Sequence, residues 1–201
     1  GHGAMTEDEL QGLLLRESNR VDWKARGNPT ALTKTLVAFA NDYQQVGGGY
    51  VLCGVAESAA GQPLLEGVTA AEVRELRDKV FRACRQLTVP PLALETTEVS
   101  LGDRPERRIL VLQALPTGQV HRFEGKIPIR VDDHTIDARD EEIKLLYQRS
   151  AGGSFLEQVE RNATRADLDL LAVEQFLEPL KLPHPVEHYL QPGVRIRAAI
   201  P

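Results

Sequence analysis

The chain has 201 residues, 42% hydrophobic and 26% charged, proportions of a globular protein that exclude wholesale disorder. Its apolar runs fall far short of the ~20 residues a bilayer span needs, and no N-terminal stretch reads as a signal peptide, so a cytoplasmic protein is expected. The net charge of −5 weighs against bulk attraction to nucleic acid, but residues 74–130 carry eleven Lys/Arg and seven Asp/Glu, a local +4 against −9 elsewhere.

Gly1-His2-Gly3-Ala4 reads as a cloning remnant before a start at Met5. Thr6-x-x-Glu9 is a capping box that opens a short helix through Leu10, Leu13 and Leu14. From Arg20 to Ala25, Val21 and Trp23 alternate with Asp22 and Lys24, the pattern of a strand with one polar face. Asn28-Pro29 is an N-cap followed by proline at the first helical position. The helix after it places Leu32, Leu36, Phe39, Ala40 and Tyr43 on one stripe.

Gly47-Gly48-Gly49 is expected to turn the chain into a buried strand, Tyr50–Val55. The glycines follow a helix and precede a strand, the reverse of a phosphate-binding loop, so they read as a turn needing positive φ. Thr69-x-x-Glu72 is a second capping box; its helix turns Val73, Leu76, Val80, Cys84 and Leu87 inward and Arg74, Lys79, Arg82 and Arg85 outward, ending at Pro90-Pro91. Strands are predicted at 92–101 and 107–115, then a short pair at 121–123 and 127–131 joined by Glu124-Gly125-Lys126. Asp137 is the expected cap of a last helix over 138–148. The result is a mixed α/β, or α+β, domain over residues 10–150. Residues 1–9 precede it, and 151–201 form a linker, a helix and the start of a truncated following region.

Three carboxylates invite attention. Glu17 and Asp22 flank the turn into the first strand, and Glu57 follows the buried strand. If those strands are neighbours the three converge, and such a cluster binds a divalent cation, Mg²⁺ or Mn²⁺, through oxygen ligands. With Lys24 beside Asp22 this would suit phosphodiester hydrolysis. The alternative is a set of solvated surface charges. His121 and His134 read as surface residues, and Cys53 and Cys84 as small buried hydrophobes without a histidine partner. Basic residues fit phosphate contact best: Arg107, Arg108, Arg122, Lys126 and Arg130 would share a face if their strands pair in order, extended by the Arg-rich helix. Aromatic residues, 5% of the chain, are too sparse to suggest base stacking along a single strand.

Taken together, Glu17-Ser18-Asn19-Arg20-Val21-Asp22-Trp23-Lys24, Ala38-Phe39-Ala40-Asn41, Gly48-Gly49-Tyr50-Val51-Leu52-Cys53-Gly54-Val55 and Ile127-Pro128-Ile129-Arg130 with Ala138-x-x-Glu141-Glu142-Ile143 resemble the Schlafen AlbA-type DNA-binding domain of bacterial transcriptional regulators and RecG-like helicase-related proteins. The resemblance implies binding to DNA or structured RNA, with Arg74, Arg82, Arg85, Arg107, Arg108, Arg122, Lys126 and Arg130 as phosphate contacts. It also implies, from the vertebrate members, an alternative metal-dependent endoribonuclease with Glu17, Asp22 and Glu57 as metal ligands and Lys24 assisting. Asp22 stands where glutamate is usual and Glu57 where aspartate is usual, each shifting its carboxylate by about one methylene, a displacement that matters to metal geometry. Two copies of the domain occur in the vertebrate relatives, which makes a homodimer of single copies the expectation here.

Overall fold

The computed structural model describes residues 5–16 and 20–150. The chain divides into two compact units, Gly1–Ala151 and Gly152–Pro201, and only the first contains described residues; the sequence-predicted linker and helix beyond 150 lie outside them, as does Glu17.

Local signals act as the sequence reads. Thr6 and Glu9 exchange both capping-box hydrogen bonds, and α1 (Glu7–Arg16) follows. The strand β1 (Val21–Lys24) leads to α2 (Pro29–Asn41), whose N-cap Asn28 accepts the Ala31 amide. The left-handed Asp42 ends α2, and its carboxylate accepts the amides of Val46, Gly47 and Gly48. Gly47 and Gly48 have positive φ. The third glycine answers a different demand: a Cβ on Gly49 would sit 2.3 Å from the Phe39 ring and 2.7 Å from the Arg20 carbonyl oxygen. The triple glycine is therefore a close-packed turn.

Beyond it come β2 (Gly49–Cys53), the hairpin β3 (Val55–Glu57) and β4 (Pro63–Leu65), and β5 (Val68–Thr69). Then follows α3 (Ala70–Gln86), closed at its start by the reciprocal Thr69–Glu72 box. The chain continues through β6 (Thr88–Val89), β7 (Glu95–Leu101) and β8 (Arg104–Ala114). It ends in β9 (Arg122–Phe123), β10 (Pro128–Val131), β11 (His134–Asp137) and a helix α4 over residues 140–150.

The main sheet runs β1-β2-β8-β5, with β7 also paired to β8. β1 and β2 are parallel, joined by the α2 crossover, and the other pairings are antiparallel. Alternation along β8 divides the core. Leu110, Leu112 and Ala114 face α2 and α3 with Val51, Cys53, Leu36, Val73 and Val80. Ile109 and Val111 face α1 with Leu10, Val21, Leu52, Val55 and Val99. A smaller cluster, Ile127, Ile129 and Leu146, seats α4 on β10.

Several expectations are corrected. The segments 121–123 and 127–131 do not form a hairpin with each other: β9 pairs with β6, and β10 pairs with β11. Asp137 does not cap α4; it ends β11 and is paired with Lys34 at 3.0 Å, while the Arg139 amide donates to Glu142. Helix α3 ends at Gln86, ahead of a short strand, and Leu87 at its C-cap is 41% exposed instead of inward. His121 is not a surface residue. It is 1% exposed, with Nδ1 at 2.7 Å from the Pro90 carbonyl oxygen and Nε2 at 2.6 Å from Thr117 Oγ1. Both ring nitrogens are engaged, which gives the imidazole a structural role.

Asn41 ties the end of α2 to this region. Its Nδ2 donates to the carbonyls of His121 and Pro128 at 3.0 and 2.8 Å, and its Oδ1 accepts the His121 amide at 2.8 Å. Replacing Asn41 with alanine leaves one amide and two carbonyls unmatched in a buried site. The expected loss is about 2–3 kcal/mol, readable as a lower denaturation midpoint at unchanged slope.

Candidate nucleic-acid interface

Asp22 lies in register with Val51, on the sheet face that holds Cys53. Its Oδ1 is 3.6 Å from Arg130 Nη2 and 3.5 Å from Lys24 Nζ. Arg130 is the more buried partner, with 8% of its side chain exposed against 15% for Asp22. It stacks 5.2 Å from the Phe39 ring centroid and donates to Thr135 Oγ1 at 2.9 Å. Burial pulls the Arg130 guanidinium below its ordinary pKa, and the charges of Asp22 and Asp133 work against that shift. Burial first, and then the Asp22 charge, pushes the Cys53 thiol up to about 12, and burial does the same to Cys84. Both cysteines are buried and both thiols stay protonated at neutral pH, as expected of small hydrophobes.

Glu57 is placed differently. It lies two residues past Val55, whose side chain belongs to the core on the α1 side. Its Oε1 curls back over its own hairpin, 3.5 Å from the position a Cβ on Gly61 would take. Glu57 belongs to the β3–β4 hairpin, which is separate from the main sheet that holds Asp22. Among the described residues no group of three His, Cys, Asp or Glu side chains is arranged to hold a metal ion. Asp22 already has two cations beside it. Glu17, the third carboxylate of the sequence reading, lies outside the described residues, and no hydrolytic step is derived through a metal.

The basic residues are dispersed as well. Arg107 and Arg108 are adjacent on β8 and point to opposite faces. Arg107 donates to the Gly67 carbonyl at 3.2 Å, and Arg108 pairs with Glu98 at 2.7 Å. Arg122, on β9, is exposed and donates to the Tyr147 hydroxyl at 3.3 Å. Lys126 is exposed and lies 3.6 Å from Asp137. Arg130 is turned into the core. The continuous stripe expected from strands pairing in order does not form, because these residues belong to three separate ladders.

What remains is α3. Its buried side carries Val73, Leu76, Val80, Ala83 and Cys84. Arg74, Arg82 and Arg85 are exposed, and among the described residues none of the three is held by an ion pair or hydrogen bond. Arg74 and Arg85 are eleven residues apart, about 16 Å along the axis, which matches the rise of roughly five phosphates on one strand of a duplex. The helix also carries acids, but two are occupied: Glu72 closes the capping box and Glu75 pairs with Lys79 at 2.6 Å. At its C-terminal end the Glu124 amide donates to the Leu87 carbonyl, bringing the turn between Arg122 and Lys126 up to the end of the helix. Sequence reading found this helix through its charge and period; it missed the exposed Phe81 among the arginines, whose only signal is its place one residue past the buried Val80.

Comparison with known proteins fits this architecture into a wider group. No curated protein matches the chain. Among solved structures, the DIP2311 protein from Corynebacterium diphtheriae is similar at 19% identity and a TM-score of 0.47, over 70% of this chain and 31% of that one. The N-terminal domain of a helicase RecG-related protein from Nitrosomonas europaea is similar at 24% identity and a TM-score of 0.41, over 54% of this chain and 69% of that one. This chain thus spans about a third of the first structure's length. The family model described as Schlafen, AlbA_2 matches residues 17–139, ending in the loop before α4. The chain belongs to the Schlafen AlbA_2 family.

Proposed function

We propose that this domain is a nucleic-acid-binding module, with DNA as the expected ligand, of a larger bacterial regulator. The observation that carries the reading is the row of α3 arginines that hold no ion pair or hydrogen bond among the described residues, on a helix whose buried face is apolar. A rigid helix holding cations at a set spacing suits a polyanion with regular charge. It loses little backbone order on binding, and the contacts it makes are indifferent to base sequence. Arg122 and Lys126, at the C-terminal end of the helix, extend the row. Arg107, Arg108 and Arg130 support the fold under this reading, since each is already engaged by a carbonyl or carboxylate.

The net charge of −5 is compatible with such a role because screening confines each charge to its surroundings: at 0.1 M ionic strength the Debye length is about 10 Å. A phosphate on α3 feels the arginines beside it far more than the acidic remainder of the chain. Fluorescence anisotropy of a labelled duplex, titrated with the protein at low salt, tests the reading. Saturable binding supports it; anisotropy that stays at the free-DNA value throughout, for this duplex and for a labelled single strand alike, overturns it.

A further inference from the structure

Phe81 is 60% exposed, on a helix that buries Val73, Leu76 and Val80. The helical period places Arg77 and Arg85 four residues to either side of Phe81 on one strip, with Arg74 seven residues before it. Arg77 pairs with Glu98 at 3.2 Å, and the same carboxylate takes Arg108 at 2.7 Å. Asp78 lies on the margin of the strip, three residues before Phe81. Phe81 therefore shares its strip with Arg74, Arg77 and Arg85 and has Asp78 at the margin, and among the described residues Arg74 and Arg85 hold no ion pair or hydrogen bond.

An exposed ring in such surroundings narrows what can cover it. A second copy docking the same strip would bring the unpaired arginines against one another, a like-charge contact that costs affinity. An apolar protein segment would desolvate cations without matching them. A nucleic-acid base offers a flat π face to the ring, and the phosphates on either side of it meet the arginines.

We propose that Phe81 is a stacking platform for an unpaired base, with Arg74 and Arg85 holding the phosphates on either side, so that the ligand is single-stranded or locally opened nucleic acid. This rests on the nucleic-acid reading above and adds strandedness to it. The test compares wild type, Phe81→Ala and Phe81→Trp against a labelled oligothymidylate of about twenty nucleotides and a duplex of equal length. Single-strand affinity is expected to fall about tenfold in Phe81→Ala, with duplex affinity and melting temperature unchanged, and to be restored in Phe81→Trp. Equal single-strand affinity of wild type and Phe81→Ala overturns the platform while leaving the nucleic-acid reading standing. So does an equal loss on both probes, or a wild-type dimer that Phe81→Ala dissociates in sedimentation, which would make a second copy the occupant. Wild type that binds neither probe removes the parent reading and the platform with it.

Discussion

Replacing Asp22 with alanine is expected to lower the stability of the domain by about 3–5 kcal/mol, the cost of leaving one member of a buried ion pair without its partner. Arg130 cannot shed its charge at accessible pH, and with 8% of its side chain exposed it cannot reach water in place of Asp22. Among the described residues Thr135 would remain as its one hydrogen-bond acceptor. The effect should appear as a fall in melting temperature of roughly 6–20 °C for a domain of this size. A double variant, Asp22→Ala with Arg130→Met, should be more stable than Asp22→Ala alone, because the thioether can pack on Phe39 without an uncompensated charge. A structural counter-ion and a metal ligand differ in sign here. If Asp22 belonged to a repelling acidic cluster that awaits a cation, its removal without divalent ions would raise the melting temperature.

The second large effect concerns binding. The triple substitution of Arg74, Arg82 and Arg85 with alanine is expected to weaken duplex affinity by roughly two to three orders of magnitude at about 0.1 M salt, since each lost phosphate contact forfeits close to one counterion's release. All three side chains are exposed and make no described contact with the fold, so the melting temperature should hold within about 1 °C. A matched control, Arg107→Ala with Arg108→Ala, removes two cations that are already engaged by a carbonyl and a carboxylate and should cost far less affinity. Anisotropy titration of the three proteins against one duplex reads all of these.

The local structure was largely written in short-range sequence. Both capping boxes and the Asn28-Pro29 start involve residues at most three apart, and each forms the hydrogen bonds its spacing calls for. The buried strand β2 announced itself as an apolar run because it is covered on both faces. Pairing was another matter. Glu124-Gly125-Lys126 does turn the chain, with Phe123 bridged to Lys126, yet β9 finds its partner in β6 and β10 in β11. Which strand a two-residue segment joins depends on where α3 and α4 set it down, and nothing local records that.

The site was legible in the same uneven way. Arg74, Arg82 and Arg85 could be placed on the outer face of α3 because helical period alone fixes a face. Arg130 could not, since its burial depends on Asp22, 108 positions earlier in the sequence, and on the ring of Phe39. The chain path beyond β2 was hidden in the same way: positive φ at Gly54 reorients the chain between β2 and β3, so that Val55 returns to the α1 side. A motif quoted along one strand cannot show that turn. Phe81 was hidden by its neighbour, because one apolar residue past a core position reads as more core.

The salt dependence of duplex binding probes the central claim most directly. A plot of log K against log salt concentration for the wild-type domain is expected to be linear with a slope of about −3 or steeper, and the triple arginine variant should lose close to 2.7 of that slope, 0.9 for each phosphate contact removed. A wild-type slope near zero, or one that the triple substitution leaves unchanged, would contradict a phosphate-binding role for α3.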